Sequence, residues 1–399
     1  MKKGFFSTSQ LSSVKSQSTI PRCGLCGLHR TCLTPKMKPT GKGKRGILFI
    51  AEAPGKEEDK KGIQLIGEAG QYLRKVLRSC NVDLEEDSWK TNAIICRPPG
   101  NITPTDDMIR ACRPNVIQAI KKFNPTTIVL LGKTAVESVI PALWKDRIEN
   151  LDQWVGWDIP SQEYNAWICP TYHPAFLIRN PGIIYERLFK QHIRRAVKHT
   201  RRPWKEVPKW QDEVDVIYRP SDAALRLRDT LKGSSFTWDL ETNCLKPETE
   251  GSEIISCAVC DDKGTFAFPW TGVTLDVMVK LLKSSRIKKI AANIKFEHRW
   301  ILRKCQFAVK GWHFDTMLGA HVLDNRSKIT SVKFQSFVLL GQPSYNDQIE
   351  PYLKSKGKVG LNRIRQLDLK DVLVYNGMDA KVEEEIAKVQ IKQLERQIR

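Results

Sequence analysis

"SFTWDLETN", residues 235–243, sets Asp239 and Glu241 two positions apart inside a run that also holds Phe236, Trp238 and Leu240. Side chains alternate along a strand, so Phe236, Trp238 and Leu240 take one face while Thr237, Asp239 and Glu241 take the other. Two acids at this spacing are ordinarily the wet side of a strand. The company they keep here argues otherwise. "AANIKFEHRW" (291–300) brings Glu297 to the head of a helix just after an apolar run, and "VLVYNGMDAKVEEEIAKV" (372–389) puts Tyr375 and Asp379 four apart on one helical face. Acids drawn together from a strand and two helices repel one another unless cations lie between them, and such a set suits Mg²⁺ or Mn²⁺, which prefer hard oxygen ligands. Two such ions roughly 3.5 to 4 Å apart can stabilise both the attacking and the leaving oxygen at a phosphorus centre. The expectation is a strand buried for rigidity whose acids face a metal site.

Outward from this strand a domain is expected over residues 214–399. It begins with "VDVIY", a helix at 221–232 and the strand just described, continues with "IISCAVCD" and its partner "GTFAFPW", and is mostly helical thereafter, a mixed α/β pattern. Before it, "KHTRRPWKEVPKWQD" mixes charge, Pro and Trp without a period and marks a linker at 198–213. Residues 21–197 form another pattern. "GILFIAEAPG" is an apolar run breaking at Pro54 and Gly55, "GQYLRKVLRSC" has helical spacing, "TNAIIC" reads as a strand, "DDMIRACRPNVIQAIKKF" as a helix with acids in its first turn, and "TTIVLLG" as a strand. Strands alternating with helices imply a parallel sheet covered on both faces, with ligands beyond the carboxyl ends of the strands. Residues 1–20, rich in Ser, Gln and Lys, read as a flexible basic tail.

The 399 residues fit two domains, and 65 Lys and Arg against 44 Asp and Glu leave a net charge of +21. The excess is uneven: residues 1–50 hold ten Lys or Arg and 187–205 hold eight, neither with an acid. Such runs on a basic chain point to a polyanion, of which nucleic acid is the commonest. No apolar run approaches the ~18 residues of a membrane span, and the N-terminus lacks the apolar core of a secretory signal, so a soluble intracellular protein without a membrane partner is expected. In that setting the eleven cysteines are thiols or metal ligands rather than disulfides.

"CGLC" supplies Cys23 and Cys26 with the two-residue gap that lets neighbouring thiolates share a metal centre, and Cys96 in "CRPPGN" with Cys112 in "ACRPN" would complete four ligands. Four thiolates suit zinc or an iron–sulfur cluster. The fifteen residues between the second pair lean toward a cluster, and spacing alone does not decide. Cys32 is a nearby fifth candidate, while Cys80, Cys169, Cys244, Cys257, Cys260 and Cys305 sit in apolar contexts and read as packing residues.

"WDLET", then "NIKFE" followed by "FDTML", then "YNGMD" resemble the three exonuclease motifs of the proofreading domain of DNA polymerase I, a 3′-to-5′ exonuclease of the ribonuclease-H-like superfamily. The resemblance covers residues 214–399. It implies that Asp239 bridges two metal ions, that Glu241 and Asp379 hold the first, and that Tyr375 orients the attacking water. The second motif of that family ends in Asp where this chain has Glu297, whose longer arm can still reach a metal directly or through water; Asp315 in "FDTML" is expected to fix a helix start instead. The chain ends twenty residues after Asp379, so no polymerase domain is expected to follow.

"AEAPGKEEDKKGIQLIGEAGQYL", "TNAIICRPPGN" and "CPTYHPAFLIRNP" resemble the motifs of family-four uracil-DNA glycosylases over residues 21–197, and the match includes the four cysteines. That resemblance implies a three-layer fold and a four-iron four-sulfur cluster on Cys23, Cys26, Cys96 and Cys112. Glu52 and the backbone at Ala53 would lie at the base pocket and help place a water, Asn92 would read the uracil edge, His173 would hydrogen-bond the departing uracil, and the segment Ala175 to Arg179 would press into the duplex as the base flips out. Two positions depart from the family: Ala51 stands where its first motif begins with Gly, and Leu65 replaces the Phe that stacks on uracil, a contact worth roughly 1–3 kcal/mol per base. The combined expectation is a cluster-bearing glycosylase-like module joined to a metal-dependent 3′-to-5′ exonuclease, acting on single-stranded DNA or 3′ ends, with uracil-containing DNA and a separate DNA polymerase subunit as further partners. The alternatives are a non-catalytic DNA-binding accessory subunit and an RNA-trimming nuclease of the same superfamily.

Overall fold

The computed structural model describes residues 23–398 except 356, 358 and 359. The expected tail at 1–20 lies outside the described residues. The chain divides into two compact units, one running to Val207 and taking in Phe337–Pro343, the other comprising Pro208–Ser336 and Ser344–Arg399.

The first unit is built on a five-stranded sheet: β1 (Ile47–Ala51), β2 (Ser88–Asn92), β3 (Thr127–Leu131), β4 (Ile159–Ser161) and β5 (Ala166–Thr171), in the order β2-β1-β3-β5-β4. β1 and β3 are buried at every position, as their continuous apolar runs require when helices cover both faces. Four strands are parallel and β4 pairs antiparallel with β5, so the expected parallel sheet carries one antiparallel edge. The strand expected at 91–96 begins earlier and ends at Asn92. Ala93 and Ile94 still donate to the carbonyls of Ala51 and Glu52, but the Ile95 N–H turns to the Cys112 sulfur, so the chain leaves the sheet to deliver Cys96 to the cysteine group. Helix Glu68–Arg78 and helix Asp106–Phe123 stand where expected, the second capped by Thr105, whose hydroxyl accepts from Met108 N at 3.4 Å.

The second unit holds a six-stranded sheet: β6 (Val214–Val216), β7 (Ser235–Thr242), β8 (Ile254–Asp261), β9 (Gly264–Pro269), β10 (Lys288–Ala291) and β11 (Trp312–Asp315), in the order β11-β10-β7-β8-β9-β6. β7 to β9 are antiparallel neighbours, while β10 runs parallel to β7 and to β11, giving the mixed sheet of a ribonuclease-H-like fold. Phe236, Trp238 and Leu240 enter the main core with Phe266, Phe268, Met278 and Trp300. The opposite face of β7 is covered by helix Leu369–Ile398, so both faces of the strand are enclosed. No helix among the described residues is long and apolar enough to cross a membrane.

Candidate functional site

The face of β7 under helix Leu369–Ile398 carries the expected acids. Carboxylate oxygens of Asp239, Glu241 and Asp379 lie within 4.8 Å of one another. The β7–β8 register shifts between Glu241 and Thr242, a local irregularity of the kind that re-aims a side chain beside an active site. Burial is the main reason that Asp239 and Glu241 are pushed well above the ordinary carboxylate range, and neighbouring carboxylates push them the same way. Asp379 is raised to about 6, again chiefly by burial, with the Tyr345 and Tyr375 hydroxyls opposing the shift. Tyr375 itself is held protonated by burial and by the surrounding acids, Asp379 first among them, so its hydroxyl can donate a hydrogen bond rather than act as a base.

Glu297 sits in the first turn of helix Lys295–Cys305, 2% exposed, with an Oε2 that has no hydrogen-bond partner. A buried carboxylate oxygen without a partner is costly unless something positive meets it. Asp315 is engaged elsewhere: its oxygens accept from the N–H groups of Asn293, Ile294, Met317 and Leu318 at 2.9 to 3.2 Å, making it the cap of helix Thr316–Leu323. The chemistry of this donor set, buried and half-buried carboxylates drawn together, fits a divalent-cation centre.

Three participants were not singled out in the sequence. Asn376 donates to Asp239 Oδ2 at 2.7 Å while its own oxygen accepts from Ser256 Oγ at 2.8 Å, which fixes the Asp239 carboxylate from behind. Tyr345 donates its hydroxyl to Asp379 Oδ1 and packs 6.1 Å from the Tyr375 ring. Glu383, 2% exposed, is held above its ordinary range by burial and by Asp239, Glu297 and Asp379. The 3.6-residue period carrying Tyr375 and Asp379 onward would have reached Glu383; nothing local announces Tyr345.

In the first unit the residues singled out gather at the carboxyl ends of the parallel strands. Glu52 follows β1, Asn92 ends β2 and His173 lies two residues beyond β5. Gly132, which follows β3 with φ of 87°, lets His173 approach: a Cβ there would meet the His173 Cβ at 2.9 Å. Glu52 Oε2 accepts from Thr134 Oγ1 at 3.0 Å. Asn92 is 2% exposed and its Nδ2 has no partner, leaving a buried amide donor that a carbonyl-bearing ligand could satisfy. His173 caps helix Pro174–Arg179, its Nδ1 accepting from Ala175 N at 3.2 Å, so the neutral ring carries its proton on Nε2. Burial lowers its pKa to about 4, with the Arg179 charge adding to the effect. Nitrogen-resolved NMR of the imidazole should therefore find His173 neutral, with Nε2 protonated, from pH 8 down to pH 5; titration near 6.5 would show that the ring is not held this way.

Leu65 has φ of 55° and is 5% exposed, packed in the core cluster with Leu73, Tyr172 and Phe189. Ala53 packs against the cysteine-bearing cluster, and Arg179 is exposed at the end of its helix. Cys23, Cys26, Cys96 and Cys112 line one cavity. Backbone N–H groups of Lys36 and Ile95 aim at the sulfurs of Cys96 and Cys112 at 3.2 and 3.4 Å. Burial above all pushes these two thiols up, to about 11 and about 12, so they would ionise only beside a positive centre. The four thiols and the donors around two of them fit a metal centre. A separate group, Asp158, Cys169 and His199, also draws together, but Asp158 already faces His199 at 3.2 Å and Arg195 at 3.4 Å.

The two sites define a nucleic-acid-processing protein of two parts. Residues 39–201 match the Uracil DNA glycosylase superfamily and residues 216–394 match the 3'-5' exonuclease family. A Type-4 uracil-DNA glycosylase of Thermotoga maritima is 33% identical over 181 residues, 44% of this chain and 88% of that protein. The chain therefore belongs, through its first unit, to the type-4 uracil-DNA glycosylases, and it carries a 3'-5' exonuclease domain behind it. A DNA polymerase of Bacillus phage SP01 is 23% identical over 315 residues, 73% of this chain and 34% of that protein. Among solved structures, RNase D of Escherichia coli aligns at 11% identity over 46% of this chain and 45% of that one, with a TM-score of 0.37.

Proposed function

We propose that the protein is a metal-dependent 3′-to-5′ exodeoxyribonuclease whose glycosylase-like unit, bearing a four-iron four-sulfur cluster, grips DNA. The observation that carries the nuclease reading is the gathering of Asp239 and Glu241 of β7 with Asp379 of the covering helix, their carboxylate oxygens within 4.8 Å of one another. Asp239, Glu241 and Asp379, with Glu297 beside them, would hold two Mg²⁺ or Mn²⁺ ions. Bound there, the ions would supply Lewis acidity toward the attacking and leaving oxygens of a phosphodiester. Asn376 keeps Asp239 in register, and Tyr345 does the same for Asp379. Tyr375, held protonated beside Asp379, would have oxygen lone pairs to accept from a water and orient it.

Support for DNA as the substrate comes from the first unit's family and from the length of the alignment with the phage DNA polymerase, which exceeds either matched segment alone. The same alignment favours work in DNA replication or repair. Neutral His173, the unpaired Asn92 amide and Glu52 suit recognition of an extruded uracil. Leu65 offers no ring to stack on that base, so excision is expected to be slow beside family members that keep the Phe.

One experiment separates the activities. A 5′-labelled single strand containing one uracil is incubated with the protein in Mg²⁺ and in EDTA, beside an RNA strand of the same sequence. Shortening of DNA from the 3′ end in Mg²⁺ only is expected; any uracil release, which leaves an abasic site read as a strand break after hot alkali, would persist in EDTA. Faster trimming of the RNA would move the assignment to an RNA nuclease. The net charge of +21 adds a second expectation: DNA affinity falls steeply and linearly in log–log terms with salt, and a flat dependence would contradict electrostatic gripping.

A further inference from the structure

The run "EEE" at 383–385 divides sharply in its surroundings. Glu385 pairs with Lys381 at 3.3 Å and Lys388 at 3.1 Å, and Glu384 pairs with Lys388 at 3.4 Å. Glu383 points inward, 2% exposed, and among the described residues it is ion-paired with no Lys, Arg or His. It lies one helical turn beyond Asp379 and two beyond Tyr375, on the face that covers β7. Its Oε2 accepts from Ala292 N at 3.2 Å, the first residue after β10, so it reaches across to the segment that leads into the helix of Glu297. Glu297 is equally buried, and its Oε2 has no partner. Two buried carboxylates without a counter-charge, one with an orphaned oxygen, call for a cation near both.

We infer that Glu383 is a fifth carboxylate of the metal centre, acting with Glu297 to hold one of its two divalent cations. The inference rests on the metal-dependent nuclease reading and adds a ligand to it. It also gives a reason why Glu suffices at 297: a second carboxylate shares the task. A purely architectural role is the competing account, in which Glu383 only receives the Ala292 amide. Glutamine can receive that amide equally well through its side-chain carbonyl, so Glu383→Gln separates the two.

The test is titration of Mn²⁺ alone into the full-length protein, with free Mn²⁺ read by electron paramagnetic resonance and folding checked by circular dichroism. The wild type is expected to bind two ions in the nuclease unit, and Asp239→Asn to lose both. Glu383→Gln is expected to stay folded, keep one ion at wild-type affinity and bind the other about 10- to 100-fold more weakly, as is Glu297→Gln. Two ions bound by Glu383→Gln with wild-type constants would overturn the inference while leaving the nuclease reading intact. No Asp239-dependent Mn²⁺ in the wild type would overturn both.

Discussion

Asp239→Asn is expected to abolish 3′ trimming and at the same time to stabilise the metal-free protein. The first effect follows from loss of the carboxylate expected to touch both cations: forfeiting several kcal/mol of transition-state stabilisation lowers the rate by ~10³-fold or more. The second follows from the direction of its pKa. Burial, then the Asp379 charge, raises the folded pKa of Asp239 above the value of ~3.9 it has in the unfolded chain. A group raised in this way favours the fold while protonated, below its unfolded pKa, and loses that contribution as pH climbs toward the folded one. At pH 7 to 8 the buried charge is therefore a liability that asparagine removes, while Asn376 Nδ2 still finds an oxygen to donate to. A gain of about 1–2 kcal/mol is expected, or several degrees in Tm. The difference from wild type should shrink toward pH 4 and close when Mg²⁺ is added. A variant less stable than wild type in EDTA at pH 8 would mean that Asp239 is a structural carboxylate.

Cys112→Ser should have the largest effect in the other unit. Cys112 lies on helix Asp106–Phe123 with its sulfur facing the cavity that Cys23, Cys26 and Cys96 also line. A cluster bound there would tie the Cys23–Cys26 segment to Cys96 and to this helix, links that span some ninety positions of sequence. Loss of such a centre belongs to the few single changes that cost more than about 4 kcal/mol. Anaerobically purified wild type is expected to be brown, with iron and acid-labile sulfide in equal amounts. The variant is expected to be colourless, to melt at lower temperature in this unit and to bind DNA more weakly. A colourless wild type holding stoichiometric zinc would replace the cluster with a zinc site.

Much of the fold was legible because its signals are local. The alternation of "SFTWDLET" placed Phe236, Trp238 and Leu240 in the core and the acids opposite them, and the acids Asp106 and Asp107 marked the first turn of a helix that the structure bears out. The β2 boundary was misjudged because "TNAIIC" has a strand's composition while the geometry of Cys96 bends its second half out of the sheet. β4 has only three residues, too few for any period to declare it or its antiparallel pairing. In the nuclease site the sequence pointed to Tyr375 and Asp379 on the last helix but not to Asn376 and Glu383 on the same helix, nor to Tyr345. Glu383 lies in a charge run that reads as a solvated face, and its near-complete burial beside the Ala292 amide sets it apart from Glu384 and Glu385, which pair with Lys388. Tyr345 comes from an irregular segment thirty positions before Tyr375, and its approach to Asp379 is a purely tertiary event.

The most direct measurement is anomalous diffraction from crystals of the wild-type protein soaked in Mn²⁺. Two peaks roughly 3.5 to 4 Å apart are expected, bordered by Asp239, Glu241, Glu297, Asp379 and Glu383, both absent from Asp239→Asn crystals. Manganese found only elsewhere on the protein, with these five carboxylates bare, would contradict the two-metal centre.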